Sequence, residues 1–219
     1  MTLMACMSPP GGGRASVTQR LLRNFNIISL APPDNANMQR IYQIIVDWHL
    51  KKVFGPYVNQ EILASYGAAI ESVIELYNQI RDGLKPTPTK SWYFLNMRDI
   101  SRCVQGMTLV TSTTEISADP RKIARLWLHE SARTFFDRLH ESDYDTFWTM
   151  LNNTIRSKLR EDFRSMMKPY EEASGTKINQ SNPHELQRYF FSDIMGEDLT
   201  PQDRKYTEVI SMKRAYARV

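Results

Sequence analysis

Most of the chemistry-capable residues in these 219 positions lack the spacing that their chemistry needs. His129-Glu130 begins a helical zinc-hydrolase motif, but position 133, where the second histidine belongs, is Arg. His49, His140 and His184 lie far apart, with no ligand spacing. Cys6 and Cys103 are too few for a disulfide scaffold or a four-cysteine zinc site. Their apolar surroundings predict buried, inert thiols in a reducing compartment. No Gly-x-x-x-x-Gly-Lys-[Ser/Thr] phosphate loop occurs: Gly11–Gly13 lacks the lysine, and Gly175-Thr176-Lys177 lacks the spacing. No run of small apolar residues ends in paired carboxylates for Mg²⁺, and no Gly-x-Ser-x-Gly elbow is present. The residues contain no self-contained active site.

One arginine stands where local physics favours an anion. Asn96 precedes an apolar helical stripe, and Asp99 follows it at the capping-box distance. Arg98 therefore falls in a first helical turn, where free N–H groups and a partial positive charge attract phosphate. Arg102 lies one turn on, on a similar face. The bland alternative pairs Arg98 with Asp99 or another neighbouring carboxylate.

The elements that must position these groups are mostly helices. Residues 2–7 and 25–30 are short apolar runs on either side of the Pro- and Gly-rich loop 8–13 and read as strands, with a short helix between them at 17–23. Two short strands are marginal alone and need neighbours. After Pro33 the period becomes helical. Ile41, Ile44, Ile45 and Trp48 form one stripe, capped by Asp34 or Asn35 and ended at Gly55-Pro56. Ile62, Tyr66, Ala69, Ile70, Val73, Tyr77 and Ile80 form a second, closed by Asp82-Gly83, and a stiff connector occupies 84–90. Ile100, Cys103, Val104 and Met107 face inward after Asn96. Asp119-Pro120 opens a long helix carrying Ile123, Trp127, Phe135 and Leu139. Ser142 or Asp143 caps the next, with Phe147, Met150, Leu151, Ile155 and Leu159 inward. Asn182-Pro183-x-Glu185 opens a short segment through Phe191, and Thr200-Pro201-x-Asp203 opens a last helix.

Composition sets the outer bounds. A hydrophobic share of 42% with 11% aromatic residues supports a real core. The net charge of +4 is spread along the chain, and the basic residues at 156–164 alternate with Glu161 and Asp162 as on a solvated helix face. Neither pattern marks a nucleic-acid partner. No stretch approaches the roughly 20 apolar residues that span a bilayer, and no targeting segment is evident. The helical aromatics Trp48, Tyr66, Tyr77, Trp127, Phe135, Phe136, Phe147 and Trp148 read as core, with some left outward for an interface.

Three blocks carry a family likeness: 7–26 (MSPPGGGRASVTQRLLRNFN), 91–106 (SWYFLNMRDISRCVQG) and 126–139 (LWLHESARTFFDRL). Together they resemble the dynein heavy chains, axonemal more than cytoplasmic, over residues 1–200 in one register. The stretch resembled is the second half of the third AAA+ module and its helical lid. The likeness implies a mainly α fold: a helical AAA+ lid subdomain at 34–200, preceded by remnant strands of an α/β large subdomain at 1–33, with 201–219 leading toward the next module. It implies an upstream half bearing the phosphate loop and the Mg²⁺-binding strand, and hence ATP or ADP with Mg²⁺ in the intact parent, with none held tightly by this chain.

The likeness also implies roles. Arg23 is the candidate arginine finger toward the preceding module's nucleotide, with Arg20 as the fallback. Arg98 is the lid's sensor arginine for the third module's own site. Ser8 stands where many AAA+ proteins have a water-orienting Asn at a strand end, so it is a weak sensor. The implied partners are neighbouring AAA+ modules of the same chain, other dynein chains and microtubules, in the cytoskeleton of a cilium or flagellum. Two other readings stay open on the residues alone: a self-standing helical interaction scaffold, and the lid of another AAA+ ATPase such as a clamp loader or remodeller.

Overall fold

The computed structural model describes residues 2–7, 16–55, 58–110, 121–175, 177, 179, 182–188, 190–193 and 205–210. The chain divides into two compact units, Met1–Asp34 and Asn35–Val219.

In the first unit a single turn of helix, α1 (Gln19–Leu22), follows Thr18. The two expected strands do not form: 2–7 and 25–30 carry no strand pairing among the described residues. Ile27, Ile28 and Leu30 are exposed, as are Leu3, Met4 and Met7. A strand is stable only beside a partner that takes its backbone hydrogen bonds, and here no described segment supplies one. Cys6 shares this exposure, contrary to the buried thiol its apolar neighbours suggest.

The second unit is helical. Its frame is α2 (Asn35–Phe54), α3 (Gln60–Gly83), α4 (Met97–Thr108), α5 (Arg121–Thr134), α6 (Tyr144–Thr154) and α7 (Phe163–Ser174). Helix α3 buries the whole expected stripe from Ile62 to Ile80, and α4 buries Ile100, Cys103, Val104 and Met107. Burial pushes the Cys103 thiol up to about 12, so this cysteine is inert as expected. Trp127, Phe135, Phe136 and Phe147 complete the core.

Helix α2 forms where expected and stops at Gly55, whose φ of +83° suits glycine. It presents the other face. Met38, Tyr42, Val46 and Leu50 are buried, while Ile41, Ile44, Ile45 and Trp48 are exposed. Both stripes are apolar, so helical periodicity alone could not choose between them. Tertiary contacts did: the Tyr42 hydroxyl donates to the Met97 carbonyl at 3.1 Å and lies 2.9 Å from Ser101 Oγ on α4.

Three more expectations need amendment. The Asp119-Pro120 start lies outside the described residues, and the helix beyond it ends at Thr134 before a separate 3₁₀ turn, Phe136–Arg138. Pro183–Arg188 is a 3₁₀ segment leading into strand β1 (Phe190–Ser192). The Thr200–Asp203 helix start is also outside the described residues, and the next described element is strand β2 (Thr207–Val209), antiparallel to β1 with Phe191 opposite Glu208. A strand forms at 207–209 because its ladder and its side chains are satisfied by partners distant in sequence.

The connector before α4 is stapled to the start of α6. Lys90 and Tyr93 both donate to Asp143 Oδ2, and Tyr93 Oη accepts from the His140 backbone N–H at 2.6 Å. Hydrogen bonds from Lys90 hold the Asp143 carboxyl below its usual range, against the opposing effect of desolvation. A lowered folded value means stability that is present above the unfolded carboxyl range, near pH 4, and is lost as pH falls through the folded value. Asp143→Asn should therefore cost about 1 kcal/mol at pH 7 in urea unfolding. The deficit should shrink as pH falls below the unfolded carboxyl range and through the lowered folded value; a deficit constant with pH would contradict this role.

Candidate arginine pocket

The loop before α4 ends in the predicted cap. Asn96 Oδ1 accepts from the Arg98 backbone N–H at 2.8 Å, and Asp99 Oδ2 accepts from the Asn96 N–H at 2.9 Å. Asp99 is buried, and its other oxygen accepts from Arg138 Nη1 at 3.1 Å. Arg138 also donates to the Phe94 carbonyl at 2.9 Å and the Trp92 carbonyl at 3.3 Å, while Trp92 Nε1 donates back to the Arg138 carbonyl. One guanidinium thus clamps the entry loop, the cap and the turn after α5 together. The carboxylate that could have neutralised Arg98 is already engaged.

These elements surround a cavity of about 450 Å³ lined by Phe94, Asn96, Arg98, Asp99, Arg102, Arg133, Thr134 and Arg138. Four guanidiniums face one carboxylate. The Arg98 and Arg102 side chains are exposed, and neither makes an ion pair or side-chain hydrogen bond among the described residues. Arg133, on the last turn of α5, donates through Nε and Nη2 to Glu130 Oε2 at 3.1 and 2.6 Å. Partial burial works against its charge, but the Glu130 contact outweighs this and raises its pKa. A helix N-terminus with forked, always-charged donors is suited to phosphate oxygens. Among the described residues no group of three or more His, Cys, Asp or Glu could hold a metal. By its donor set the pocket suits a phosphate, and its one carboxylate, Asp99, is already engaged by Arg138.

Sequence reasoning located Arg98 and Arg102, and the fold brings them into one pocket. It missed Arg133 and Arg138. The only local signal for Arg133 was its place in the failed His129-Glu130 zinc motif, and Arg138 is separated from Asp99 by 39 positions. The remaining site candidates belong to the first unit. Arg23 caps α1, with φ −58° and ψ −20°, and is exposed; Arg20 is exposed too. Ser8 lies outside the described residues. His129 approaches Tyr206 Oη at 3.1 Å, a local polar role and not a ligand set.

Comparison with known proteins decides the family. A model described as the P-loop containing dynein motor region matches residues 1–33, and one described as the AAA+ lid domain matches 69–168. The chain is 33% identical to human axonemal dynein heavy chain 12 over 208 residues, covering 94% of this chain and 6% of that protein. This chain belongs to the dynein heavy chain family. Mouse axonemal dynein heavy chain 3 is 34% identical over 96% of the chain and 5% of its own length, and human axonemal dynein heavy chain 2 is 34% identical over 72% and 3%. The dynein segment thus spans about 6% or less of these curated relatives. It is a dynein motor-region segment with an AAA+ lid, mainly helical, with one small two-stranded sheet among the described residues.

The lid's helices meet where Gly106 of α4 faces α5. A Cβ at 106 would sit 2.0 Å from the Glu130 carboxylate. That carboxylate is fully buried and held on both oxygens, so it cannot swing away. Gly106→Ala should destabilise the lid by about 1–3 kcal/mol, as overpacking does. Urea unfolding checks this, and an unchanged midpoint would show that the contact can relax.

Proposed function

We propose that this chain is the lid of the third AAA+ module of an axonemal dynein ring, reading the phosphates of a nucleotide held by residues of the large subdomain. Residues 1–33 would be the end of that subdomain, 34–200 the lid, and 201–219 the lead toward the next module. The observation that carries the reading is the arginine pocket, whose Arg98 and Arg102 side chains have no partner among the described residues. In the intact parent, ATP or ADP with Mg²⁺ would be the ligand. Arg98, fixed at the first turn by the Asn96–Asp99 capping box, would meet the negative charge of the terminal phosphates. Because the same helix packs on α5, a change in that charge would tilt the lid as a rigid body.

Arg23, with Arg20 as fallback, would act in trans on the preceding module's nucleotide. A guanidinium suits this because it stays charged and offers forked donors to the charge developing on a transferred phosphoryl group. Ser8, at the expected water-orienting position, would be a weaker substitute for Asn. The outward stripe Ile41, Ile44, Ile45 and Trp48 on α2 gives the lid an apolar face for an adjoining module of the same chain. Through the parent, the partners would be other dynein chains and microtubules, in the axoneme of a cilium or flagellum. Among the described residues no helix is long and apolar enough to cross a membrane.

Two measurements test this. The isolated 219-residue chain should show no ATP turnover above background, since the phosphate loop motif is missing from its sequence; turnover that survives repurification would refute the reading. In an assembled heavy chain, Arg98→Ala should weaken nucleotide response at the third module, and Arg23→Ala should slow hydrolysis at the second by about 10³-fold or more if that site turns over. Unchanged nucleotide affinity and gliding velocity in both would remove the assignments.

A further inference from the structure

A buried carboxylate joins the arginine pocket to the end of the chain. Glu130 has no exposure, and its two oxygens are shared between opposite directions. Oε2 accepts both hydrogen bonds from Arg133, which lines the pocket and keeps about half of its side chain exposed. Oε1 accepts from the Tyr206 hydroxyl at 2.8 Å, 76 positions away, one residue before β2. Burial, then the Glu130 charge, drives the Tyr206 hydroxyl pKa up, so it stays a donor. The antiparallel β1–β2 pair, with Tyr206 leading into it, forms a ribbon that is anchored at a second point, where the Arg125–Glu208 ion pair is almost fully buried and Tyr170 Oη donates to Glu208 Oε1 at 2.8 Å. The Phe191 ring of β1 packs against both His129 and Tyr206, with centroids 5.8 and 6.0 Å away, while His129 Nε2 itself lies 3.1 Å from Tyr206 Oη.

Arg133 spends Nε and Nη2 on Glu130, and a guanidinium has five N–H donors, so donors remain for the pocket. Its orientation depends on where Glu130 is held, and Glu130 is held by Tyr206. Undocking the ribbon would leave a buried carboxylate with one partner lost, which is costly, and would free Arg133 to swing.

We infer that Glu130 is a positioning residue that couples the ribbon to the pocket: docking of Tyr206 orients Arg133 as a third phosphate ligand, and phosphate in the pocket in turn tightens the ribbon. This rests on the phosphate-reading role of the pocket. Coupling of this kind is reciprocal, so the same factor must appear at both ends. It gives the lid a route by which nucleotide charge reaches the segment that leads out of it.

The test uses the 219-residue chain with tripolyphosphate as probe, read by calorimetry and by amide hydrogen exchange at 205–210. Tripolyphosphate should slow exchange at β2, and Tyr206→Phe should weaken its binding about fivefold with the pocket arginines intact. Arg98→Ala should weaken binding by about tenfold through the loss of a charge-assisted contact. If Arg98→Ala weakens binding while Tyr206→Phe binds as the parent does and β2 exchange is indifferent to the probe, the coupling is wrong and the pocket reading survives. If the unaltered chain binds no tripolyphosphate, both fall. The exchange measurement needs no substitution, so poor folding of Tyr206→Phe would not rescue the coupling.

Discussion

A carboxylate without solvent, pressed against a glycine without a side chain, is the constraint on which this lid turns. Glu130 can lie between α4 and α5 only because Gly106 leaves room for it. A buried carboxylate is tolerable only when its oxygens are satisfied, and its two donors come from different parts of the fold. Arg133 faces the pocket, and Tyr206 belongs to the segment running into β2. Packing therefore forces one residue to feel both. The Arg125–Glu208 pair with Tyr170 repeats the device a few residues along α5, so the helix that carries Trp127 into the core also carries the polar anchors of the ribbon.

The same economy shapes the pocket. Asp99 could have neutralised Arg98 but caps the helix and binds Arg138, leaving Arg98 and Arg102 available. Arg138 meanwhile also donates to two loop carbonyls, those of Trp92 and Phe94, beside the buried cap. Paired and unpaired guanidiniums thus stand side by side, separated by whether a carboxylate reaches them. The His129-Glu130 dipeptide shows the same logic. It looks like half of a metal site in sequence, yet Glu130 serves as an anion held by a guanidinium and a phenol.

Membership of the dynein heavy chains gives these contacts their setting. The chain spans only about 6% of its relatives, so the mechanics visible in it are those of the lid. The exposed apolar stripe of α2 and the unpaired runs at 2–7 and 26–30 are surfaces that the described residues do not cover. A helix tolerates this because its backbone bonds close internally. A strand does not, which is why α2, α3 and α4 formed where their patterns placed them and the early strands did not.

Local pattern determined what depends on near neighbours along the chain. The stripe of α3, the inward face of α4, the capping box at Asn96–Asp99 and the position of Arg98 were all legible, because helix periodicity and capping act over three or four residues. Composition excluded a disulfide scaffold, and three blocks of residues pointed to the family. Tertiary structure alone decided which apolar face of α2 turns inward, that Arg133 and Arg138 join Arg98, and that Tyr206 ends on Glu130. Those choices depend on partners 39 to 76 positions apart, and no local rule can weigh a contact whose two halves meet only after the helices have packed.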